Sequence, residues 1–515
     1  MKQTYFQNML NMNKFNMKKT WQILRKAIGK QNNKLNFPLT FNINNKQVSS
    51  KIEIAESFNN YFANIGKTTS QNVPKSKTDY TKYLNKSVLN SMYIEEVDEL
   101  YIMDIVKKLK AKTSSGFDEI SSKLMKDTIS NIIHPITHII NRSLNTGIVP
   151  DQLKIAKVIP VFKASEADQL KNYRPISLLP AFSKILEKTM YKKIMSFLDS
   201  QQILYKNQYG FRANHSTIHP ILHLLNQCAK NNNSFPHKYT ISIFCDLSKA
   251  FDVISHDILM KKLDSYGIRG IVKKWILNYL SNRKQFVEFD NNKSSVLNIE
   301  CGVPQGSVLG PLLYLIYVND IGNSSNGNIL SFADDTSLYL SDSNLDNLFA
   351  NANVEVNKLF DWFCANRLSL NPTKTKFLVL RTSNNPPNTT EKKLFINGTS
   401  LTQIGSNFSE KSTKFLGLHL DEFLSWKKHL AQINKKISYA LFMIKQAKNF
   451  LSVVSLKTLY SALIHPHLTY GILAWGSASS SILHKTIMLQ KCAIRTINRA
   501  HYNSHTDPLF LKSSI

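Results

Sequence analysis

Apolar residues recur along this chain with two spacings, and the spacing sorts much of it into helices and strands. Ile54, Ala55, Phe58, Tyr61, Phe62 and Ile65 fall at helical intervals and predict an amphipathic helix that Gly66 stops. The polar stretch 67–86, with Pro74, then reads as a linker. Helical periodicity returns over 97–109 and over 183–198, where Ile185, Leu186, Tyr191, Ile194 and Leu198 line one side. Residues 158–162 and 239–244 predict strands, the second with Tyr239, Ile241 and Ile243 on a shared face. The apolar run 308–318 is too short to cross a bilayer, and with Gly310 and Pro311 inside it predicts a buried helix. Short apolar runs at 329–333 and 337–340 flank Asp334 and Asp335, predicting a β-hairpin with the acids at its tip. An Asn-, Pro- and Thr-rich stretch at 383–390 separates a dense body, 95–381, from a C-terminal part of short strands and then helices, among them 426–444 and 455–468. Helices and strands mix without regular βαβ alternation, so the expected class is α+β. No internal repeat is visible.

Charge changes this picture more than size does. The 515 residues are 43% hydrophobic, enough for a large core and two to four domains. Against 35 Asp+Glu stand 65 Lys+Arg, a net +30, which points to a polyanionic partner, nucleic acid first. A lysine-rich composition from an AT-biased genome accounts for part of the excess. Residues 1–90 alone carry 15 Lys+Arg and 3 Asp+Glu, so this end is expected to touch RNA or DNA. The basic C-terminal helices suit nucleic-acid contact and ordinary packing with a solvated face equally. The five cysteines show no C-x-x-C pair and no Cys/His spacing for zinc, so no structural zinc is expected and the thiols read as reduced. The polar, Asn-rich start lacks the apolar core of a signal peptide. The expectation is an intracellular protein with no membrane partner.

The chemistry concentrates in acids. Asp246 ends an apolar strand in FCDLSKAFD, where a carboxylate wants a cation. Asp334 and Asp335 stand side by side in FADDTSLYL, with no Lys or Arg anywhere between Gly322 and Asn357. Adjacent carboxylates repel and raise each other's pKa unless a cation binds between them. Two Mg²⁺ ions about 3.5–4 Å apart can activate a 3′-hydroxyl and stabilise departing pyrophosphate, the two-metal route of nucleotidyl transfer. Asp-Asp alone is weak, because most such pairs are surface turns.

FCDLSKAFD, GVPQGSVLGPLLYLIYVNDI and FADDTSLYL, in this order, resemble the central blocks of non-LTR retrotransposon reverse transcriptases of the jockey-like kind. Upstream, SSGFDEIS, NYRPISLLPAFSKILEK and QYGFR resemble the family's preceding blocks, and downstream NRLSLNPTKTKFL and KFLGLHLD resemble its last ones, so the likeness covers roughly 52–510. It implies a right-hand polymerase: a basic N-terminal extension and linker (1–90), fingers (91–235), a ferredoxin-like palm (236–381), then the end of the palm, a helical thumb and a truncated C-terminal helical region (382–515). It implies that Asp246, Asp334 and Asp335 bind two Mg²⁺ ions and catalyse. Phe251 takes the steric-gate position that excludes a ribose 2′-hydroxyl, with a core aromatic as its plain alternative. Lys163 and Arg174 grip the incoming triphosphate. Gln305 lies against the nucleotide sugar and base, in a loop where Gly302 and Gly306 permit close approach. By the same resemblance Lys374 would protonate departing pyrophosphate, with Lys376 beside it as the competing candidate. Asp252 and His256 match no metal position and read as local structural groups.

The implied partners are an RNA template, a DNA primer or nicked target DNA, and dNTPs, in a ribonucleoprotein of nucleus or cytoplasm. Nothing before residue 90 is large enough for the apurinic-endonuclease-like domain fused in complete elements, and the chain ends at HTDPLFLKSSI where the family pattern usually continues, so a fragment or a degraded copy is expected. The rival from the binding class is a catalytically silent RNA-binding relic, against which three retained, unpaired acids speak. An RNA-dependent RNA polymerase shares the acidic pair, but Phe251 speaks against it. Absence of extra recognisable domains speaks against a telomerase or intron-encoded relative.

Overall fold

Two five-stranded sheets carry the middle of the chain in the computed structural model, which describes residues 1–13, 16–29, 37–84, 87–380, 389 and 391–513. In the first, the strands run in the order Asn328–Phe332, Asp335–Asp342, Tyr239–Cys245, Lys376–Leu380 and Thr402–Ile404. All neighbours are antiparallel except the last pair. The alternation seen in the sequence sets its register. Ile329, Leu338, Ile243 and Phe377 form one row across four strands, all fully buried on one face. That face packs on the helix Leu345–Ala365 and on the helices His256–Ser265, Gly270–Leu280 and Leu309–Tyr317. Leu330, Tyr339, Leu378 and Leu380 point the other way, into a second core shared with the helix Ile218–Asn233 and the C-terminal helices. Both faces are apolar because both are covered.

The second sheet pairs Tyr173–Leu178, Ile155–Phe162 and Arg283–Phe289, with the short strands Asn292–Lys293 and Leu297–Ile299 on the last. The helix Lys51–Gln71 closes it, burying Ile54, Ala55, Phe58 and Phe62 against Val158, Tyr173, Val287 and Phe289. This helix does not stop at Gly66. Gly66 instead marks a close approach, because a Cβ there would lie 2.0 Å from the Asp252 carbonyl oxygen. The supposed linker therefore begins as helix, and Tyr80–Tyr83 adds a turn of 3₁₀ helix whose Tyr83 joins the main core.

The first residues form two helices, Lys2–Met12 and Met17–Ala27, whose Phe6, Leu10, Ile23 and Leu24 pack among the C-terminal helices. Phe6 meets Phe450 at 5.5 Å between ring centroids. Those C-terminal helices are led by Lys427–Ala447 and Ser480–Ile497. The helix expected over 455–468 is two, Val453–Leu463 and His465–Thr469, because Pro466 cannot continue the first. The stretch 383–390 lies outside the described residues, apart from Thr389. Among the described residues no helix is long and apolar enough to cross a membrane.

Candidate active site

Three carboxylates meet at one end of the first sheet. Asp246 directly follows the central strand Tyr239–Cys245. The hairpin turns through Ala333 and Asp334, so Asp335 opens the return strand opposite Phe332. Thr336 pairs with Cys245, and the next positions along that ladder are Asp335 and Asp246. Ala333 carries the turn at φ 57°, the left-handed region, which costs an L-residue about 1–2 kcal/mol.

Burial lifts the Asp335 carboxyl above its ordinary value, and the charges of Asp334 and Asp246 lift it further, while Lys414 opposes them. The three acids thus share one electrostatic neighbourhood. The charges of Asp334 and Asp335 also add to the burial that raises the Tyr314 hydroxyl, so the helix Leu309–Tyr317 runs close to the hairpin turn. The Asp246 N–H donates to Thr375 Oγ1 at 3.4 Å, and its carbonyl accepts from the Asn371 N–H at 2.9 Å. Leu247 and Ser248 pair with Leu370 and Ser369, so the segment NRLSLNPTKTKF braces Asp246. Lys374 sits exposed on the turn of that segment. Lys376 is engaged in an ion pair with Glu410 at 2.5 Å, whereas nothing among the described residues pairs with the Lys374 ammonium.

A basic group gathers where the second sheet meets the segment that follows Asp246. Arg174 pairs across the hairpin with Val161, and the Lys163 N–H donates to the Asn172 carbonyl, leaving both side chains exposed. They bear on Lys249: burial lowers its pKa, Asp252 opposes, and the positive charges of Lys163 and Arg174 lower it further. The Lys249 Nζ lies 5.8 Å from the Tyr61 ring centroid. Lys249 escaped the sequence reading, although its signal was in plain view as a cation inside DLSKAFD.

Phe251 stacks on Tyr314, centroids 4.9 Å apart at 27°, and meets Phe211 edge-on at 5.9 Å. Gln305 donates through Nε2 to both Asp252 oxygens, at 2.8 and 2.9 Å, and its carbonyl accepts from the Ser177 N–H at 2.7 Å. Its loop enters the helix Leu309–Tyr317 over another residue missed in the sequence: buried Glu187 accepts from the N–H groups of Val308 and Leu309 at 2.5 and 3.2 Å. An acid there answers the positive end of the helix dipole. His256 donates from Nε2 to the Gly302 carbonyl at 2.9 Å, a local contact.

Burial pushes the Asp252 carboxyl up to about 6, with Gln305 and Lys249 opposing. A carboxyl raised on folding contributes stability that is complete below its unfolded value, near 4, and is lost as pH rises through about 6. Between those limits the loss amounts to about 3 kcal/mol. Asp252→Asn, which keeps an acceptor for Gln305 and cannot ionise, is expected to flatten urea-unfolding stability between pH 4 and 8 and to be the more stable form at pH 8. An unchanged pH profile would show that Asp252 does not titrate in this range.

The donor set suits a hard divalent cation: three carboxylates, no soft donor, and one acid whose raised pKa a cation would relieve. Among the described residues no three His, Cys, Asp or Glu side chains form a ready-made cage.

With this geometry in view, the comparisons with known proteins narrow the class. The family model described as reverse transcriptase (RNA-dependent DNA polymerase) matches residues 161–420, and the chain belongs to that family. It is similar to the "Probable RNA-directed DNA polymerase from transposon BS" of Drosophila melanogaster, 28% identical over 428 residues, 80% of this chain and 46% of that protein. It is also similar to the "RNA-directed DNA polymerase from mobile element jockey" of Drosophila melanogaster, 25% identical over 446 residues, 82% of this chain and 46% of that one. These relatives agree with the resemblance to jockey-like non-LTR elements read from the motifs. The chain spans about half the length of the curated relatives it matches.

Proposed function

We propose that the chain is the polymerase portion of a non-LTR retrotransposon, an RNA-directed DNA polymerase that extends a primer 3′-hydroxyl on an RNA template with dNTPs. The observation that carries the reading is the convergence of Asp246 and Asp335 on adjacent strands, with Asp334 in the hairpin turn beside them, in a sheet whose helix-connected strands follow a ferredoxin-like order. In right-hand terms, 91–235 are fingers, 236–381 palm, and 382–515 the end of the palm and a helical thumb. Residues 1–90 are an N-terminal region whose helix Lys51–Gln71 docks on the sheet that joins the fingers strands Ile155–Phe162 and Tyr173–Leu178 to Arg283–Phe289.

Asp246, Asp334 and Asp335 hold the metal. Two Mg²⁺ ions there would supply the charge that activates the primer hydroxyl and stabilises the leaving pyrophosphate. Lys163, Arg174 and Lys249 bind the triphosphate, Arg174 as a fork and the lysines as point charges. Phe251, fixed by Tyr314, excludes a ribose 2′-hydroxyl, and Gln305, fixed by Asp252, lines the sugar side. Lys374, which unlike Lys376 has no partner for its ammonium among the described residues, donates a proton to pyrophosphate. Template RNA and a DNA primer or nicked target DNA lie along the basic surface, and their binding should weaken steeply with salt. The protein works as an intracellular ribonucleoprotein, in nucleus or cytoplasm.

The test is primer extension by the purified chain on poly(A) with an oligo(dT) primer and Mg²⁺. Incorporation of dTTP and rejection of UTP is expected, and Phe251→Val should raise UTP use relative to dTTP by about tenfold or more, the loss of one apolar contact surface. No incorporation by protein that binds the template, or equal use of UTP by the wild type, would overturn the reading.

A further inference from the structure

The hairpin that bears Asp334 and Asp335 is held from outside its own sheet. The segment 205–210 runs along the strand Asn328–Phe332 as an additional edge, with a parallel bridge between Gln208 and Ser331. The Ser331 N–H donates to the Asn207 carbonyl at 3.0 Å, and the Ser331 carbonyl accepts from the Tyr209 N–H at 2.8 Å. Gln208, only 4% exposed, then reaches the turn itself. Its Oε1 accepts from the N–H groups of Ala333 at 3.0 Å and Gly210 at 2.8 Å, and its Nε2 donates to the Ala333 carbonyl at 3.4 Å. One side-chain amide thus satisfies both polar groups of the residue that precedes Asp334.

The rest of QYGFR serves the same contact. Gly210 lies so close that a Cβ would fall 2.1 Å from the Ala333 nitrogen. Arg212 Nη1 donates to the carbonyls of Tyr205 and Gln208, at 3.1 and 3.3 Å, closing the loop on itself. Ala333 needs such support. It occupies the left-handed region without being glycine, and a strained residue persists only where its surroundings over-determine it.

We infer that Gln208 is a positioning residue for catalysis: it clamps Ala333 in its left-handed turn and so fixes where the Asp334 and Asp335 carboxylates stand. The inference rests on the polymerase reading for its consequence, though not for its geometry. Gln208 touches neither carboxylate, and its role is exerted through the Ala333 backbone. Loss of the clamp should therefore lower kcat and leave template and dNTP binding in place.

Two variants separate this from a merely structural role. Gln208→Met keeps the length of the side chain and removes every hydrogen bond; Gln208→Glu keeps the acceptor for Ala333 and Gly210. In primer extension Gln208→Met is expected to lower kcat by about 10²-fold, the effect of a misplacement near 1 Å, with KM for dTTP within about twofold. Gln208→Glu should recover at least half of that loss on a logarithmic scale. Independently of activity, amide hydrogen exchange of metal-free protein should accelerate in a peptide spanning 328–340 for Gln208→Met, and stay near wild type for Gln208→Glu. If Gln208→Met does not fold, Gly210→Ala should give the same exchange signature by pushing Ala333 aside. Unchanged exchange over 328–340 in these variants overturns the clamp, as does a loss of activity that appears in KM with kcat intact. If the wild type extends no primer, the polymerase reading fails while the exchange measurement still decides the clamp.

Discussion

Asp335→Ala is expected to lower kcat for dTTP incorporation by about 10³-fold or more, as large as the removal of a preorganised charge from other active sites. The physical case begins with repulsion. With no cation in place, Asp335 is raised by burial and by the neighbouring Asp334 and Asp246, so part of the folding energy goes into holding like charges together. Protons and divalent cations relieve that strain in competition. As pH falls toward the raised Asp335 value, protonation takes over and metal affinity should drop; as pH rises, the cation should win. Mg²⁺ is therefore expected to raise the thermal midpoint of the wild type more at pH 8 than at an acidic pH close to the carboxylate range, since a ligand bound only by the native state stabilises it according to its affinity. Asp335→Ala should show a smaller shift at both values. Kinetics against Mg²⁺ concentration, paired with thermal melts at the two pH values, check both arms. Retention of a tenth of the wild-type kcat, or a Mg²⁺ shift left unchanged by Asp335→Ala, would remove Asp335 from the metal site.

How much of this was legible in the sequence differs by residue, for physical reasons. Tyr239, Ile241 and Ile243 alternate, and the strand is where that alternation places it, since period-two burial is a local property. The acidic hairpin was legible for the same reason, with one refinement: Asp335 belongs to the return strand and only Asp334 to the turn. Gly66 misled because its meaning is not local. A glycine within a helix reads as a stop, yet this one exists to admit the Asp252 carbonyl from a distant segment. The opening helices were hidden by their polar composition, and a few apolar side chains, Phe6, Leu10, Ile23, Leu24 and Ala27 foremost, anchor them to the C-terminal helices. Gln208, Glu187 and Lys249 share a further cause. Each has its partners far away in the chain: a backbone turn, a helix end, or two cations on another sheet. A motif can mark such residues, but periodicity cannot assign what they hold.

Lys262→Met should cost about 3–5 kcal/mol of stability, the usual penalty for removing one partner of a buried ion pair. Lys262 and Asp320 are buried almost completely, at 0% and 2% side-chain exposure, with Nζ 2.7 Å from Asp320 Oδ1 and 2.6 Å from the Tyr317 carbonyl. Burial depresses the lysine and raises the carboxyl, while each partner opposes the shift of the other. The ammonium also lies over the rings of Tyr317 and Trp362, at 5.1 and 5.4 Å. Methionine preserves the stem and leaves Asp320 buried without its cation, and a carboxylate in that state costs more than the pair ever contributed. A second, compensating change should therefore help rather than add: Lys262→Met with Asp320→Leu is expected to regain most of the loss, because an apolar pair of similar volume often equals or betters a buried salt bridge. Urea unfolding of the two single variants and the double variant gives the coupling directly. Additive losses would show that the two residues act separately. The pair also bears on the site, since it joins the helix His256–Ser265 to the end of Leu309–Tyr317, whose Tyr314 supports Phe251. If the ion pair sets the register between these helices, the double variant should recover stability yet discriminate less sharply between dTTP and UTP, because the ring that excludes the 2′-hydroxyl would rest on a less uniquely seated helix.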